Sequence, residues 1–210
     1  MEIEAKFRVE EADVFAALLD GDTIGSFQLT HADAVEDQRN TYYDTSDRRL
    51  QAQRSGLRIR VVGVRRIVTL KGGGRVTGAL HERDEWEVEI GADDRPEHWP
   101  SSEARERVLA LIGAEPLQPI LTIETRRRHI YASRQDDQVA ELSLDEGVIR
   151  AGGREESFRE LEIELSDGGT RADFTALVQL LRERFPLIPE ERSKLARGLE
   201  LLDEIGNKIH

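Results

Sequence analysis

Apolar and charged residues alternate with a period of two along much of this chain. In MEIEAKF, Ile3, Ala5 and Phe7 fall on one side and Glu2, Glu4 and Lys6 on the other, the pattern of a strand with one face toward a core. The same alternation predicts strands over 39–45, 57–62, 66–71, 83–90, 120–131, 139–145 and 158–165. In 83–90, Arg83, Glu85, Glu87 and Glu89 oppose Trp86, Val88 and Ile90; in 158–165, Glu160, Glu162 and Glu164 oppose Leu161, Ile163 and Leu165. Gly56, the run Gly72 to Gly74, and Asp145-Glu146-Gly147 read as turns. Helical spacing predicts helices over 10–19, from Ser101 or Ser102 to Gly113, over 170–185 with Thr170 and Asp173 as its cap and Pro186 as its stop, and over 194–205. The stretch 21–37 is polar and has no clear period. Without a repeat or a dividing linker, residues 1–210 read as one domain of two sheet-rich halves.

Composition narrows the partners. A hydrophobic content of 38% supports a real core, and the net charge of −12 argues against a duplex nucleic-acid surface, so any anion site must be local. There is no cysteine, which excludes disulfides and thiolate metal sites and fits a reducing cytoplasm. No segment reaches the roughly 18 apolar residues of a membrane span, and the charged first strand does not read as a leader. Oligomeric state is not written in the sequence. Of the 30 basic residues only Lys6, Lys71, Lys194 and Lys208 are lysines, which marks those positions as places for a compact ammonium.

The charged faces are sorted by sign. Glu2 and Glu4 at one end of the strand series and Glu160, Glu162 and Glu164 at the other are acidic, while Arg58, Arg60, Lys71, Arg83, Arg126 and Arg128 between them are cationic. An ordinary wet face intermixes signs. Periodicity allows either an open sheet with one wet side or a barrel with a polar lumen; in a barrel, an acidic wall would face a basic one, which suits a polyanion together with a divalent cation. Arg65, Arg66 and Arg127 fall opposite their neighbours and read as surface; Glu89 reads as rim. His31, His81, His98, His129 and His210 lack metal-ligand spacing, and Trp86 and Trp99 read as core. Lys71 precedes the glycine run, so the run is a turn and no P-loop.

With these residues in order, the chain resembles the CYTH domains, also called triphosphate tunnel metalloenzymes. The resemblance rests on Glu2-x-Glu4-x-Lys6, then Tyr43-Asp44-Thr45, the LRIR strand, TLKG with Lys71, RDEWE, Arg126-x-Arg128 where the family carries Lys-x-Arg, LDEG with Asp145, ELEIEL, and SKLARG with Lys194. It is nearest to the branch often fused to a helical CHAD domain, which hydrolyses inorganic tripolyphosphate. It implies an α+β fold, an antiparallel eight-stranded β-barrel or tunnel with a charged lumen and flanking helices. It further implies a triphosphate or polyphosphate gripped by Lys6, Arg58, Arg60, Lys71, Arg83, Arg126, Arg128 and Lys194. Mg²⁺ or Mn²⁺ would be held by carboxylates from Glu2, Glu4, Asp145, Glu160, Glu162 and Glu164, with Glu85, Glu87 and Lys71 as the catalytic candidates. Cleavage would give phosphate and pyrophosphate. A class IV adenylyl cyclase, a thiamine or nucleoside triphosphatase, and a non-catalytic polyphosphate-binding module are the alternatives.

Overall fold

The alternation that opens the chain does form a strand, β1 (Glu2–Arg8), in a computed structural model that describes residues 2–206; Lys208 and His210 lie outside the described residues. After α1 (Ala12–Asp20), the stretch without clear period holds β2 (Thr23–Ile24) and the first part of β3 (Phe27–Asp44). Alternation fails there for two reasons. Residues 33–35 are exposed, so neither face is selected for apolar side chains, and the pairing register shifts between His31 and Val35. The chain continues through α2 (Arg49–Ala52), β4 (Gly56–Val62), β5 (Arg65–Lys71), β6 (Arg75–Thr77), β7 (Leu80–Arg83), β8 (Glu85–Glu89) and α3 (Glu103–Ile112). Its second half comprises β9 (Gln118–Arg134), β10 (Asp137–Ala151), β11 (Arg154–Leu165), α4 (Arg171–Arg184), β12 (Ile188–Pro189) and α5 (Lys194–Gly206). The hydroxyls of Ser102 and Thr170 cap α3 and α4 by accepting from the N–H groups of Arg105 and Asp173, as their spacing predicts.

The strands form one antiparallel sheet in the order β6-β7-β1-β11-β10-β9-β3-β4-β5-β8, with β12 beside β1 and β2 beside β3. Twelve strands stand where eight were expected, and hydrogen bonds do not close the sheet into a complete barrel. Three of the extra strands, β2, β6 and β12, are only two or three residues long. The fourth arises at Asp84, where one predicted strand breaks into β7 on β1 and β8 on β5. The chain itself spans the gap, and the Gly72 N–H donates to the Asp84 carbonyl there at 2.9 Å. The ion pair of Lys71 on β5 with Glu2 on β1 crosses the same gap.

Three apolar clusters shape the sheet from opposite sides. Phe7, Ile130, Ala132, Leu142, Leu161 and Ile163 pack under α1 and α4 through Phe15, Phe174 and Leu177. Leu57, Ile59, Val68 and Leu70 pack under α2 and α3 through Leu50, Val108 and Ile112. The third cluster lies on the other face. Ile123 shares a strand face with Arg127, and with Leu121, Ile149 and Phe158 it receives Leu195 and Leu199 of α5, so this helix fills one end of the sheet's inside.

Gly147 belongs to that end. The sequence reading put a hairpin turn at Asp145-Glu146-Gly147, but β10 runs straight through these residues and turns only at Gly152 and Gly153, both at positive φ. Gly147 is required by proximity instead: a Cβ there would lie 2.1 Å from the Glu124 carbonyl oxygen and 2.8 Å from the Phe158 ring. Gly147→Ala is therefore expected to destabilise the protein by about 2 kcal/mol through overpacking. Urea unfolding curves would show this as a lower midpoint, and an unchanged midpoint would contradict the steric account.

Candidate active site

Cross-strand partners in an antiparallel ladder share a face, so the register decides which charges meet. Arg127 pairs with Asp145 and Asp145 with Glu160; Lys6 pairs with Glu162, Glu4 with Glu164, Glu2 with Arg83, and Lys71 with Glu85. These faces turn inward around a cavity of about 650 Å³. Its lining includes Glu2, Glu4, Lys6, Arg58, Arg60, Lys71, Arg83, Glu85, Glu87, Arg127, Asp145, Glu162, Glu164 and Lys194. Apolar outer faces under helices and a charged inner face are thus two readings of one alternation.

Most cations in the lumen are held between carboxylates. Lys194 donates to Asp145 at 3.0 Å and to Glu162 at 2.8 Å, and also bonds Glu160. Arg127 forms a fork on Asp145, both contacts at 2.6 Å, and reaches Glu162 at 2.6 Å. Lys6 lies 2.8 Å from Glu162 and 3.2 Å from Glu4, Arg83 bonds Glu4 and Glu2, and Lys71 bonds Glu2 at 2.9 Å and Glu85 at 2.7 Å. Arg58 and Arg60 differ. Arg58 meets Glu85 only at 3.9 Å and its Nε is buried without a hydrogen-bond partner, while Arg60 donates to the Asn40 amide at 3.3 Å.

The carboxylates respond to this environment in opposite directions. Burial alone would raise Glu162, but Lys194, Lys6 and Arg127 outweigh it and hold its pKa well below the ordinary range; the same contest leaves Glu4 and Asp145 lowered. Glu160, fully buried, is raised because burial exceeds the pull of Lys194. Glu164 lines the lumen with part of its side chain exposed and faces Glu2 and Glu4, and its pKa is pushed up to about 7 by the surrounding protein first and by the two carboxylates next. Among the described residues no three acidic or imidazole side chains gather as a ready metal cluster, since cations are interposed between them.

Of the residues singled out in the sequence, Lys6, Arg58, Arg60, Lys71, Arg83, Lys194, Glu85, Glu87, Glu2, Glu4, Asp145, Glu162 and Glu164 line the cavity. Three do not. Glu160 sits behind the lining between Lys194 and Arg197, and Arg126 and Arg128 face outward, Arg126 beside Asp37 and Glu146. Arg127, assigned to the surface by alternation, is the arginine that enters. The correction follows from register: with Ile130 and Ala132 in the outer core, the even-numbered face of β9 points away from the lumen. The pair that faces inward is therefore Arg127-x-His129, and His129 Nδ1 donates to the Glu141 carboxylate at 2.6 Å. Arg197, 3% exposed and bonded to Glu156 and Glu160, was also missed; it stands one helical turn after Lys194, and that spacing was its only signal.

Residues 1–199 match the CYTH domain family. An inorganic triphosphatase from Haemophilus influenzae is 32% identical over 162 residues, which cover 76% of this chain and 44% of that protein, so the chain spans less than half the length of this relative. Among solved structures, a candidate adenylyl cyclase from Hippeastrum described as having a dominant triphosphatase activity superposes with a TM-score of 0.68 at 22% identity, over 96% of this chain and 97% of its own; at that identity the likeness is one of fold. A candidate adenylate cyclase from Bacillus halodurans gives 0.60 at 28% identity over 92% and 95%. No helix among the described residues is long and apolar enough to cross a membrane.

The His129–Glu141 contact makes stability depend on pH. The hydrogen bond to Glu141 raises the imidazole pKa above 6.5 against partial burial; Arg127 opposes and Glu36 assists. A folded pKa above the unfolded one means that the stabilisation is complete below the unfolded value and is lost as pH rises through the folded value. His129→Gln is therefore expected to lower the melting temperature more at about pH 5.5 than at about pH 9. Equal losses at both would show that the pair carries no net charge interaction.

Proposed function

Because the chain belongs to the CYTH domain family, we propose that its lumen hydrolyses the terminal phosphoanhydride bond of inorganic tripolyphosphate with a divalent metal. The observation that carries this reading is a lumen lined by cations and carboxylates interleaved with one another, since anion binding alone needs only the cations. The similarity to an inorganic triphosphatase supports it. The mixed lumen likewise speaks against a non-catalytic polyphosphate-binding module.

In this reading Lys6, Lys71, Arg83, Arg127 and Lys194, joined by Arg58 and Arg60, hold the triphosphate oxygens, the arginines as two-pronged donors. Glu2, Glu4 and Glu164 fit Mg²⁺ or Mn²⁺ as oxygen donors lining one wall, with Glu164 opposite Glu4 and bonded to no cation among the described residues. The metal, when bound, would neutralise phosphate charge and activate a water. A lumen carboxylate would take the proton of the attacking water as its oxygen bonds to the terminal phosphorus and the bridging P–O bond breaks, and the cations would hold the phosphate and pyrophosphate that result. Glu85 and Glu87, fixed by Lys71 and by the Thr69 hydroxyl at 2.6 Å, are placed to orient water or hold the cations still. Positioning and charge compensation suffice, and no covalent nucleophile is required. Asp145 and Glu162 serve chiefly to anchor Arg127 and Lys194, which narrows the metal set expected from the sequence.

Phosphate release from tripolyphosphate, pyrophosphate, ATP and thiamine triphosphate, each with Mg²⁺ and Mn²⁺, tests the reading. Tripolyphosphate is expected to be turned over fastest and activity to vanish in excess chelator; preferred turnover of ATP, or hydrolysis unaffected by chelation, would refute it. The register of β9 gives a second outcome. Arg127→Gln should lower kcat/KM by about 100-fold or more, as expected for loss of a donor to transition-state charge, whereas Arg126→Gln and Arg128→Gln should stay within about threefold. Equal effects at the three positions would overturn the inward assignment of Arg127.

A further inference from the structure

We infer that the divalent cation and the phosphate-type anion bind this lumen as mutual conditions, because the protein's own carboxylates and cations occupy one another and each ligand must release the other's partners. The inference takes its two ligand classes from the hydrolytic reading but rests on the ion pairs themselves.

Five lumen cations are engaged by carboxylates: Lys6, Lys71, Arg83, Arg127 and Lys194. A phosphate oxygen that accepts from Lys6 or Arg83 takes the place of Glu4, and one that accepts from Lys71 takes the place of Glu2. The displaced carboxylates are then enclosed and uncompensated, a costly state that a divalent cation relieves. The reverse holds as well: a metal drawing Glu2 and Glu4 to itself leaves Lys71 and Arg83 short of negative charge, and a phosphate supplies it. Linkage requires that each ligand raise the other's affinity by the same factor. Arg58 and Arg60 provide the first foothold, because an anion can contact them with no close carboxylate bond to break: Arg58 meets Glu85 only at 3.9 Å, and Arg60 bonds only a neutral amide. Glu164 is the corresponding foothold for the metal, since it lines the lumen with no cation bonded to it among the described residues.

Mn²⁺ affinity of the purified protein, measured by calorimetry at constant ionic strength with and without inorganic sulfate, tests the coupling. Sulfate is a tetrahedral dianion that pairs only weakly with Mn²⁺, and affinities are referred to the free Mn²⁺ concentration. Saturating sulfate is expected to tighten Mn²⁺ binding by at least about tenfold, within the range of ordinary coupling energies, and saturating Mn²⁺ to tighten sulfate by the same factor. Arg58→Met, which removes a guanidinium already lacking a partner at Nε, should shrink the gain while the protein stays folded. A wild-type Mn²⁺ affinity that changes less than about twofold on adding sulfate overturns the coupling. If the same protein hydrolyses tripolyphosphate, the hydrolytic reading survives that result; a clear gain in a protein without hydrolytic activity supports the coupling and removes only the hydrolytic reading.

Discussion

Charges of opposite sign interleaved across strands are what this fold depends on. Seven cations and nine carboxylates, counted on the cavity-lining strands and Lys194, cannot share a 650 Å³ space unless most are offset by a neighbour. The register meets that demand: Arg127 opposite Asp145, Lys6 opposite Glu162, Arg83 opposite Glu2, Lys71 opposite Glu85. A one-residue slip in any of these pairings would turn the charges into the outer cores and the leucines into the lumen. The helices outside and the ion pairs inside therefore enforce the same alignment from two directions.

How much could be read in advance differs from strand to strand. On β1 the positions of Glu2, Glu4 and Lys6 follow directly from alternation, because the opposite face holds Ala5 and Phe7 in a single core. The same holds for Arg58 and Arg60 against Leu57 and Ile59. On β9 the rule misleads, since this strand packs against two cores on opposite faces. Its odd positions Leu121 and Ile123 are buried beneath α5, and its even positions Ile130 and Ala132 beneath α4. No single period describes such a strand, and the three consecutive arginines lie where the apolar side changes over. The apolar pair Ile130 and Ala132 held the information that Arg128 and Arg126 point outward, but only to a reader who knew which core they served.

The position of Asp145 shows a second limit. A sequence of Asp-Glu-Gly reads as a turn because its residues suit one. Here β10 stays extended, Asp145 is fully buried as the anchor of Arg127 and Lys194, and Gly147 is small because a neighbouring carbonyl and the Phe158 ring leave no space. Local preference and tertiary demand favour the same residues for different reasons. The family resemblance pointed to the tunnel; the register then decided which side chains enter it.

The pairing of β1 with β11 also has a consequence for how the protein is made. Lys6 meets Glu162 across 156 positions of sequence, and Lys194, at the start of the last helix, completes the same knot. During synthesis β1 is made 156 residues ahead of Glu162, and it must remain unpaired on this side until β11 follows. Long-range strand pairing of this kind is slow because the loop must close before the contact contributes. A fragment that ends before β11 can thus form hairpins but not the site, and β1 keeps that edge open until its partner is made.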